Sequence, residues 1–191
     1  MICGIDEAGR GPLAGPVCAA AVILKKDFPL DVLNDSKKIS SIRRSEIREI
    51  IFTKALILGI GWASHAEIDE INILQASLLA MKRAFLDLQK RAAEKQLILS
   101  YENLTAVADG NFTPDISIPC KAMVKADAQV HEVMAASILA KTERDIYMNQ
   151  MAQLYPLYGY EKHKGYPTKA HREAVLKHGP SPIQRLSFKV K

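Results

Sequence analysis

The sequence predicts an α/β fold in which helices cover a mixed β-sheet. Short apolar runs of strand length recur along the chain, and one of them, VCAAAVIL, is apolar throughout, which is typical of a strand buried on both faces. Longer segments repeat apolar residues at helical spacing. Strand candidates come early in the chain, and helices then alternate with further strands, an order that favours a layered arrangement of sheet and helices.

Five segments are predicted as strands, and they are residues 1–5, 17–24, 55–64, 104–108 and 118–124. The first is followed at once by Asp6 and Glu7 and by a loop rich in glycine and proline. The fourth ends in the turn sequence DGN, and the fifth is followed by KADA. Acidic side chains therefore follow three of the predicted strands.

Four segments are predicted as helices. The first begins near Ser40 or Ser41, either of which is a suitable N-cap. The third covers residues 130–151, and the fourth covers residues 168–177 and is closed by Gly179. The second carries an apolar stripe that indicates core packing rather than a cofactor site, formed by Leu74, Leu78, Met81, Phe85 and Leu88.

Length and composition indicate a single globular chain. With 191 residues, 48% hydrophobic and 25% charged, it can bury a core without disulfides and is neither disordered, collagen-like nor a coiled coil. Its three cysteines form no C-x-x-C pair, and no apolar stretch reaches the length of a membrane span. Acids near the start are unlike a signal peptide. We expect a cytoplasmic monomer with no membrane partner.

The basic excess is concentrated at one end of the chain. The formal net charge is +5. Residues 156–191 hold eight basic and two acidic side chains, which gives +6, whereas residues 1–155 give −1. This distribution indicates an anionic partner for the C-terminal segment.

Residues 4–16, GIDEAGRGPLAGP, form the most informative segment. Two carboxylates end an apolar strand, and closely spaced glycines then allow backbone N–H groups to approach a phosphate or a sugar. The segment is not a P-loop, because Arg10 and Gly11 stand where Lys and a hydroxyl residue are required. It is not a dinucleotide fingerprint, because Pro12 follows and Gly15 comes one residue late.

Two further acids, Asp109 and Asp127, follow strand candidates in VADGN and VKADA. One acid at a strand end is usually a turn former, but four carboxylates from three strand ends suit Mg²⁺ or Mn²⁺. Two such ions can activate water and stabilise the leaving oxygen of a phosphodiester. Because adjacent strand residues point to opposite faces, we expect the chain to leave the extended form at Glu7, so that Asp6 and Glu7 reach one site.

Several motifs, in order along nearly the whole chain, resemble those of bacterial ribonuclease HII. They are GIDEAGRGPLAGPV, NDSKKIS, DGN, KADA, AASILAK followed by ERD, HKGYPTKAH and PSPIQRLSF. The resemblance implies a ribonuclease-H-like fold, with a five-stranded mixed sheet flanked by helices and a helical C-terminal extension. Residues 1–155 would then be the catalytic domain, and residues 156–191 would be a basic extension that contributes to substrate binding.

The resemblance also implies an activity. It is that of a Mg²⁺- or Mn²⁺-dependent endonuclease that cuts RNA paired to DNA and cuts DNA on the 5′ side of single embedded ribonucleotides. The products would carry 3′-hydroxyl and 5′-phosphate ends. Carried over by position, the metal-binding catalytic acids are Asp6, Glu7, Asp109 and Asp127. We expect Asp6 to bridge two ions, Glu7 and Asp109 to hold one, and Asp127 to complete the other site.

Substrate contacts follow from the same resemblance. The loop Gly9-Arg10-Gly11 resembles the one whose backbone reads the ribose 2′-hydroxyl, the group that distinguishes RNA from DNA. Tyr166 resembles the tyrosine that packs on the next deoxyribose, and Ser36 and Lys37 match a segment that contacts backbone phosphates. Asp145 is either a carboxylate behind the metal ligands or an acid on a helix surface.

The chain departs from the family pattern at Ala126, where Gly usually precedes the fourth acid, and at Gln184, where His is common. Three alternatives are a type HIII enzyme, a non-catalytic module that binds hybrids, and a transposase-like nuclease that acts on DNA. The first should carry an extra N-terminal domain, for which there is no room before Asp6. The four acids disfavour the second alternative, and the loop for the 2′-hydroxyl disfavours the third.

Overall fold

The computed structural model of the protein describes residues 1–33 and 40–190, and within them five strands form one mixed sheet. The strands are β1 (Ile2–Ala8), β2 (Val17–Ile23), β3 (Ile57–Ala63), β4 (Thr105–Asp109) and β5 (Cys120–Met123). The sheet has the order β3-β2-β1-β4-β5; β2 is antiparallel to both β1 and β3, whereas β4 is parallel to both β1 and β5. The predicted α/β fold with a five-stranded mixed sheet is confirmed.

The helices of the described residues are α1 (Ser41–Lys54), α2 (His65–Glu94), α3 (His131–Leu154), α4 (Tyr160–His163) and α5 (Lys169–His178). The side chains of Ser40 and Thr168 cap α1 and α5 by accepting a hydrogen bond from a backbone N–H. The short helix α4 was not predicted. Across the described ranges, no helix has the length and apolar character needed to cross a membrane.

Apolar side chains on the two faces of the sheet form two separate cores. Every residue of β2 is buried, as its continuous apolar run predicts. On one face α2 packs against the sheet, and its residues Phe85 and Leu88 are fully buried. On the other face α1 and α3 pack together, with Ile51 and Leu139 fully buried. The sheet is therefore the middle of three layers.

Helix α3 lies very close to β1. A Cβ atom on Gly4 would lie 2.1 Å from the main-chain carbonyl carbon of Glu132, so only glycine permits this approach. The contact sets the N-terminal half of α3 beside the part of β1 that contains Asp6.

The C-terminal segment packs on the rest of the chain through a third core. Tyr160 and Ile183 of this segment are buried together with Ala14, from the loop after β1, and Met148 of α3. The loop is also joined to the segment by an isolated bridge between Ala14 and Gln184. The C-terminal segment therefore covers the loop that follows β1.

Candidate active site

Asp6 is a buried carboxylate near the C-terminal end of β1. It is 6% exposed, its Oδ1 accepts a hydrogen bond from the N–H of Glu7 at 2.7 Å, and the hydroxyl of Ser137 in α3 lies near enough to lower its pKa. Burial raises the pKa of Asp6 well above its usual range, the charges of Glu7 and Asp109 raise it further, and the Ser137 hydroxyl opposes the rise. A nearby cation would therefore stabilise the charged form of this carboxylate.

Asp109 is the last residue of β4, and the strand register brings it next to Asp6. Ile5 is paired with Ala108, so Asp6 and Asp109 occupy the next position along the two parallel strands. Ile5 and Ala108 both belong to the core under α2. Alternation along the strands therefore places Asp6 and Asp109 on the other face, toward α3.

Asp127 lies in a 3₁₀ turn, Ala126–Ala128, rather than directly at the end of a strand. The difference arises because β5 is shorter than predicted and Lys125 adopts a left-handed conformation, with φ 59°, that turns the chain. Oδ1 of Asp109 accepts a hydrogen bond from the N–H of Ala126 at 2.7 Å. The turn that carries Asp127 is thereby held against the end of β4.

The prediction that the chain leaves the extended form at Glu7 is wrong. Strand β1 continues to Ala8, because its ladder with β2 extends through the pairs of Glu7 with Ala19 and Ala8 with Cys18. Alternation along the strand starts the Glu7 side chain on the face opposite Asp6. Its carboxylate nevertheless lies close enough for the charges of Glu7 and Asp6, and of Glu7 and Asp109, to interact. The structure therefore brings Asp6, Glu7, Asp109 and the Asp127 turn to the same end of the sheet.

The two carboxylate oxygens of Glu7 have different surroundings. Its Oε1 accepts a hydrogen bond from Nη1 of Arg10 at 3.3 Å, whereas its Oε2 is buried and has no hydrogen-bond partner among the described residues. Burial raises the pKa of Glu7, the charge of Arg10 lowers it, and the charge of Asp109 raises it. A buried carboxylate oxygen without a donor is a suitable ligand for a hard cation.

The acids fit a divalent cation, although they do not form a closed cluster. Within residues 1–33 and 40–190, no three side chains of His, Cys, Asp or Glu lie in a metal-binding arrangement. The chemistry of the donors nevertheless agrees with Mg²⁺ or Mn²⁺, because oxygen ligands predominate and burial raises the pKa of Asp6 and Glu7. A cation would offset the repulsion between these carboxylates.

The loop after β1 depends on glycine and on two buried arginines. Gly9 has φ 101°, and a Cβ atom there would lie 2.1 Å from Nε of Arg144. Arg144 and Arg185 are 1% and 0% exposed and donate hydrogen bonds to main-chain carbonyl oxygens of this loop. Since the exposed side chain of Arg10 reaches Glu7, the loop is in contact with the candidate catalytic acids.

Tyr166 reaches the same loop from the C-terminal segment. Its ring atom Cε1 would lie 3.7 Å from a Cβ atom on Gly11, and Tyr166 is 40% exposed. The N–H of Leu13 donates to the carbonyl oxygen of Gly165 at 2.8 Å, which joins the two segments. The structure thus places the Gly9-Arg10-Gly11 loop beside Tyr166, as required if both contact one substrate.

Asp145 takes part in an ion-pair network near Tyr166. It accepts a hydrogen bond from Nζ of Lys141 at 2.7 Å, and it lies 3.8 Å from Nη2 of Arg44 in α1. Nζ of Lys141 lies 5.7 Å from the centre of the Tyr166 ring. Asp145 therefore orients a lysine near Tyr166 and is not a solvent-facing helix acid. Ser36 and Lys37 lie outside the described residues.

Three residues of the site were not predicted from the sequence: Ser137, Arg144 and Arg185. Ser137 lies one helical turn after Val133 on the face of α3 that packs on the sheet, a spacing that could have identified it. Arg144 lies two further turns along that face, where a charged residue among apolar ones was an available signal. Arg185 contacts residues about 170 positions away, so sequence spacing gives no signal for it.

The family comparison and the search for relatives both match this chain to ribonuclease HII. The profile of the family described as Ribonuclease HII matches residues 3–191. The chain is 56% identical over 196 residues to Ribonuclease HII of Treponema denticola, covering 100% of this chain and 99% of the relative. It is 50% identical over 188 residues to Ribonuclease HII of Dechloromonas aromatica, covering 98% and 90%.

Solved structures are similar over the whole fold. The crystal structure of ribonuclease H2 from Pyrococcus horikoshii has a TM-score of 0.74 at 25% identity and covers 99% of this chain and 94% of that one. A structure of Bst-RNase HIII in complex with Mn²⁺ has a TM-score of 0.79 at 16% identity, covering 99% of this chain and 67% of that one, a likeness of fold alone.

Proposed function

Since this chain belongs to the ribonuclease HII family, we propose that it cleaves duplex DNA on the 5′ side of single embedded ribonucleotides. Members of this family are metal-dependent hydrolases that degrade the RNA of RNA–DNA hybrids, and this protein is such an enzyme. The finer proposal is that two Mg²⁺ or Mn²⁺ ions serve catalysis and that the products carry 3′-hydroxyl and 5′-phosphate ends.

Four acids would hold the ions in this proposal. Asp6 would bridge them, Glu7 and Asp109 would hold one, and Asp127 would complete the other site. Bound ions would supply an activated water and charge stabilisation at the phosphate. The burial of Asp6, its place beside Asp109 and the unpartnered Oε2 of Glu7 support this assignment. The chain supplies no side-chain nucleophile in this scheme; its acids bind and orient.

Recognition of the substrate would depend on the loop after β1 and on the C-terminal segment. Backbone N–H groups of Gly9, Arg10 and Gly11 would contact the ribose 2′-hydroxyl, and the partly exposed ring of Tyr166 would pack on the next deoxyribose. Residues 156–191 would act as a basic extension to the catalytic domain of residues 1–155. The position of the Tyr166 ring beside Gly11 supports joint reading of a junction by these two segments.

One observation carries the proposal: adjacent parallel strands place Asp6 and Asp109 on one face, and the loop that follows β1 begins only a few residues later and lies beside Tyr166. The test is to incubate duplex DNA that contains one ribonucleotide with the protein in Mg²⁺ or Mn²⁺, and to map the cut and its end groups. We expect one cut on the 5′ side of the ribonucleotide. All-DNA duplex is the matched substrate control, and D6N is the matched protein control.

Cleavage of the all-DNA duplex at a similar rate would contradict recognition of ribose, as expected for a transposase-like nuclease. Binding in EDTA without any cleavage in Mg²⁺ or Mn²⁺ would contradict catalysis and favour a binding module. Cleavage by D6N at the wild-type rate would contradict the assignment of Asp6.

A further inference from the structure

Arg185 is a buried guanidinium whose partners are backbone carbonyls of the loop after β1. It is 0% exposed, and no carboxylate lies within ion-pair distance of it among the described residues. Burial and the charge of Arg144 lower its pKa, which reports an unfavourable environment for a cation. Such an arrangement is costly unless the donors are satisfied.

The donors of Arg185 are satisfied by four carbonyl oxygens. Nη2 donates to Gly9 at 2.6 Å and to Pro16 at 3.2 Å, Nη1 donates to Arg10 at 3.0 Å, and Nε donates to Gly15 at 2.8 Å. The planar guanidinium fork therefore binds carbonyl groups at both ends of the loop. A lysine ammonium does not reproduce this geometry.

The backbone around Arg185 is itself anchored. Its N–H donates to the carbonyl oxygen of Leu13 at 2.8 Å, and the N–H groups of Leu186 and Ser187 donate to the carboxylate of Asp69 in α2 at 2.8 and 2.9 Å. These bonds fix the backbone of Arg185, and the loop carbonyls fix its guanidinium, so both ends of the side chain are held in place.

The guanidinium of Arg185 determines the orientation of the two peptide groups that follow Gly9 and Arg10. In a trans peptide the C=O and the N–H point in opposite directions, and no described peptide bond is cis. Because the carbonyls of Gly9 and Arg10 point at Arg185, the N–H groups of Arg10 and Gly11 point away from it. Both residues are exposed, and neither N–H has an acceptor within the described part of the chain. Two successive donors on one side form a concave site for an oxygen atom.

We propose that Arg185 is a positioning residue for ribose recognition: by holding the carbonyls of Gly9 and Arg10, it turns the N–H groups of Arg10 and Gly11 toward the substrate. The inference rests on the proposed function, since it assumes that this loop reads a ribonucleotide. Arg185 touches no substrate in this scheme and acts through the loop backbone.

Arg144 provides the matched comparison. It is equally buried, but it donates to the carbonyls of Ala14, Pro16 and Lys164, at 3.1, 2.9 and 3.0 Å, and not to those of Gly9 or Arg10. Its side chain packs on Gly9, so R144K disturbs the packing of the loop while the carbonyls of Gly9 and Arg10 keep their bonds to Arg185. A lysine at either position keeps a positive charge but loses the fork.

The test compares R185K with R144K and the wild type. The dissociation constant is measured in EDTA for a duplex with one ribonucleotide and for the same duplex as all DNA. We expect the ratio of the two constants to fall about tenfold in R185K and to stay at the wild-type value in R144K, because one or two hydrogen bonds to the ribose are lost only in the former. Inactive protein affects both constants alike and cancels in the ratio.

A ratio that R185K retains, or that falls equally in R144K, would overturn the role of Arg185, because general loosening of the loop would then suffice. If circular dichroism shows that R185K is not folded, R185Q, which restores a planar donor without the charge, takes its place under the same criteria. A wild-type ratio of one would also overturn the inference, because no preference for ribose in binding would remain for Arg185 to support. The proposed function is tested separately by cleavage of the same two duplexes in Mg²⁺ or Mn²⁺, so the two failures are distinguished.

Discussion

The ring of Tyr166 lies against Gly11, such that a Cβ atom on Gly11 would be 3.7 Å from the ring atom Cε1. The ring therefore lies where the loop that follows β1 meets the basic C-terminal segment. Tyr166 remains 40% exposed, so one part of the ring packs on the loop while another part can meet a substrate. A change at Gly11 therefore tests the shared surface without disturbing the core.

Gly11→Ala is expected to fold normally and to lose activity. Gly11 has no positive φ, and 3.7 Å is an ordinary contact distance, so the methyl group fits. It would nevertheless occupy the surface between the loop and Tyr166, and displacement of a substrate by about 1 Å can cost about 100-fold in rate. We expect a loss of 10- to 100-fold in kcat/KM with little change in Tm.

Gly9→Ala is the control, since a positive φ and a contact of 2.1 Å with Arg144 predict a lower Tm. Wild-type kcat/KM in Gly11→Ala would show that the surface beside Tyr166 does not meet the substrate.

Tyr166→Ala is expected to lose more activity on a single embedded ribonucleotide than on a long RNA–DNA hybrid. Only the former substrate depends on recognition of one junction, where the ring of Tyr166 would pack on the deoxyribose. We expect about a tenfold greater loss on the single ribonucleotide, measured as kcat/KM on both substrates. Tyr166→Phe keeps the ring and should keep the preference. Equal losses on both substrates would argue against a role in reading the junction.

Local patterns in the sequence were enough to predict the sheet and its acids. The apolar run of β2 and the stripe with Phe85 are local signals, and the order of strands places Asp6 and Asp109 at one end. The error at Glu7 arose because the length of β1 depends on its ladder with β2, which spacing does not reveal. Arg185 escaped prediction because its contacts link distant parts of the chain.

Asp6→Asn is expected to abolish cleavage while raising stability. Burial raises the pKa of Asp6 above its unfolded value, so at neutral pH the folded state holds a charge that the unfolded state accommodates better. The free energy of unfolding contributed by Asp6 therefore falls as pH rises above about 4, and a neutral amide removes this cost. We expect Tm at pH 7 to rise by a few degrees, measured by calorimetry, with a loss of kcat of at least about 100-fold.

Divalent ions should stabilise the wild type more than Asp6→Asn. Mn²⁺ that binds the folded state should raise the Tm of the wild type by several degrees and that of Asp6→Asn much less. The measurement is a thermal melt in EDTA and in a series of Mn²⁺ concentrations, with Asp115→Asn, which changes an exposed acid distant from the candidate acids, as the matched control. An equal shift in wild type and Asp6→Asn would argue against a metal site at Asp6.

Two stacked histidines beneath Tyr166 predict a dependence of stability on pH. The centres of the His163 and His171 rings are 4.6 Å apart. Nδ1 of His163 accepts from the N–H of Gly165, so the His163 ring is neutral, and Nδ1 of His171 donates to the carbonyl of Tyr166. Burial lowers the pKa of each below the unfolded value near 6.5. The unfolded state then binds more protons below neutrality, and the free energy of unfolding falls as pH drops through 6.5.

His171→Asn keeps a donor for the carbonyl of Tyr166 and removes one titrating group. We expect the fall in the free energy of unfolding between pH 8 and pH 5.5, measured by urea denaturation, to be smaller in this variant than in the wild type. An unchanged fall would mean that His171 does not titrate with folding.

Lys162 and Lys169 predict how the basic segment contributes to binding. Deletion of residues 156–191 is a poor test, because it would remove Tyr160 and Arg185 from the interior. Both lysines are exposed, so substitution by alanine leaves the cores intact. Each variant should weaken binding of all duplexes alike and reduce the slope of log K against log salt by about one, because one phosphate contact is lost.

The measurement is affinity in EDTA over a series of salt concentrations, with Lys90→Ala on α2 as the control. Lys90 is also exposed and, like Lys169, has an acid four residues later, but it lies on α2 and not on the C-terminal segment. Its substitution should leave the slope unchanged, since general reduction of net charge by one contributes little at a distance beyond the Debye length. Equal slopes in all three variants would mean that the position of the basic excess, as distinct from its amount, has no part in binding.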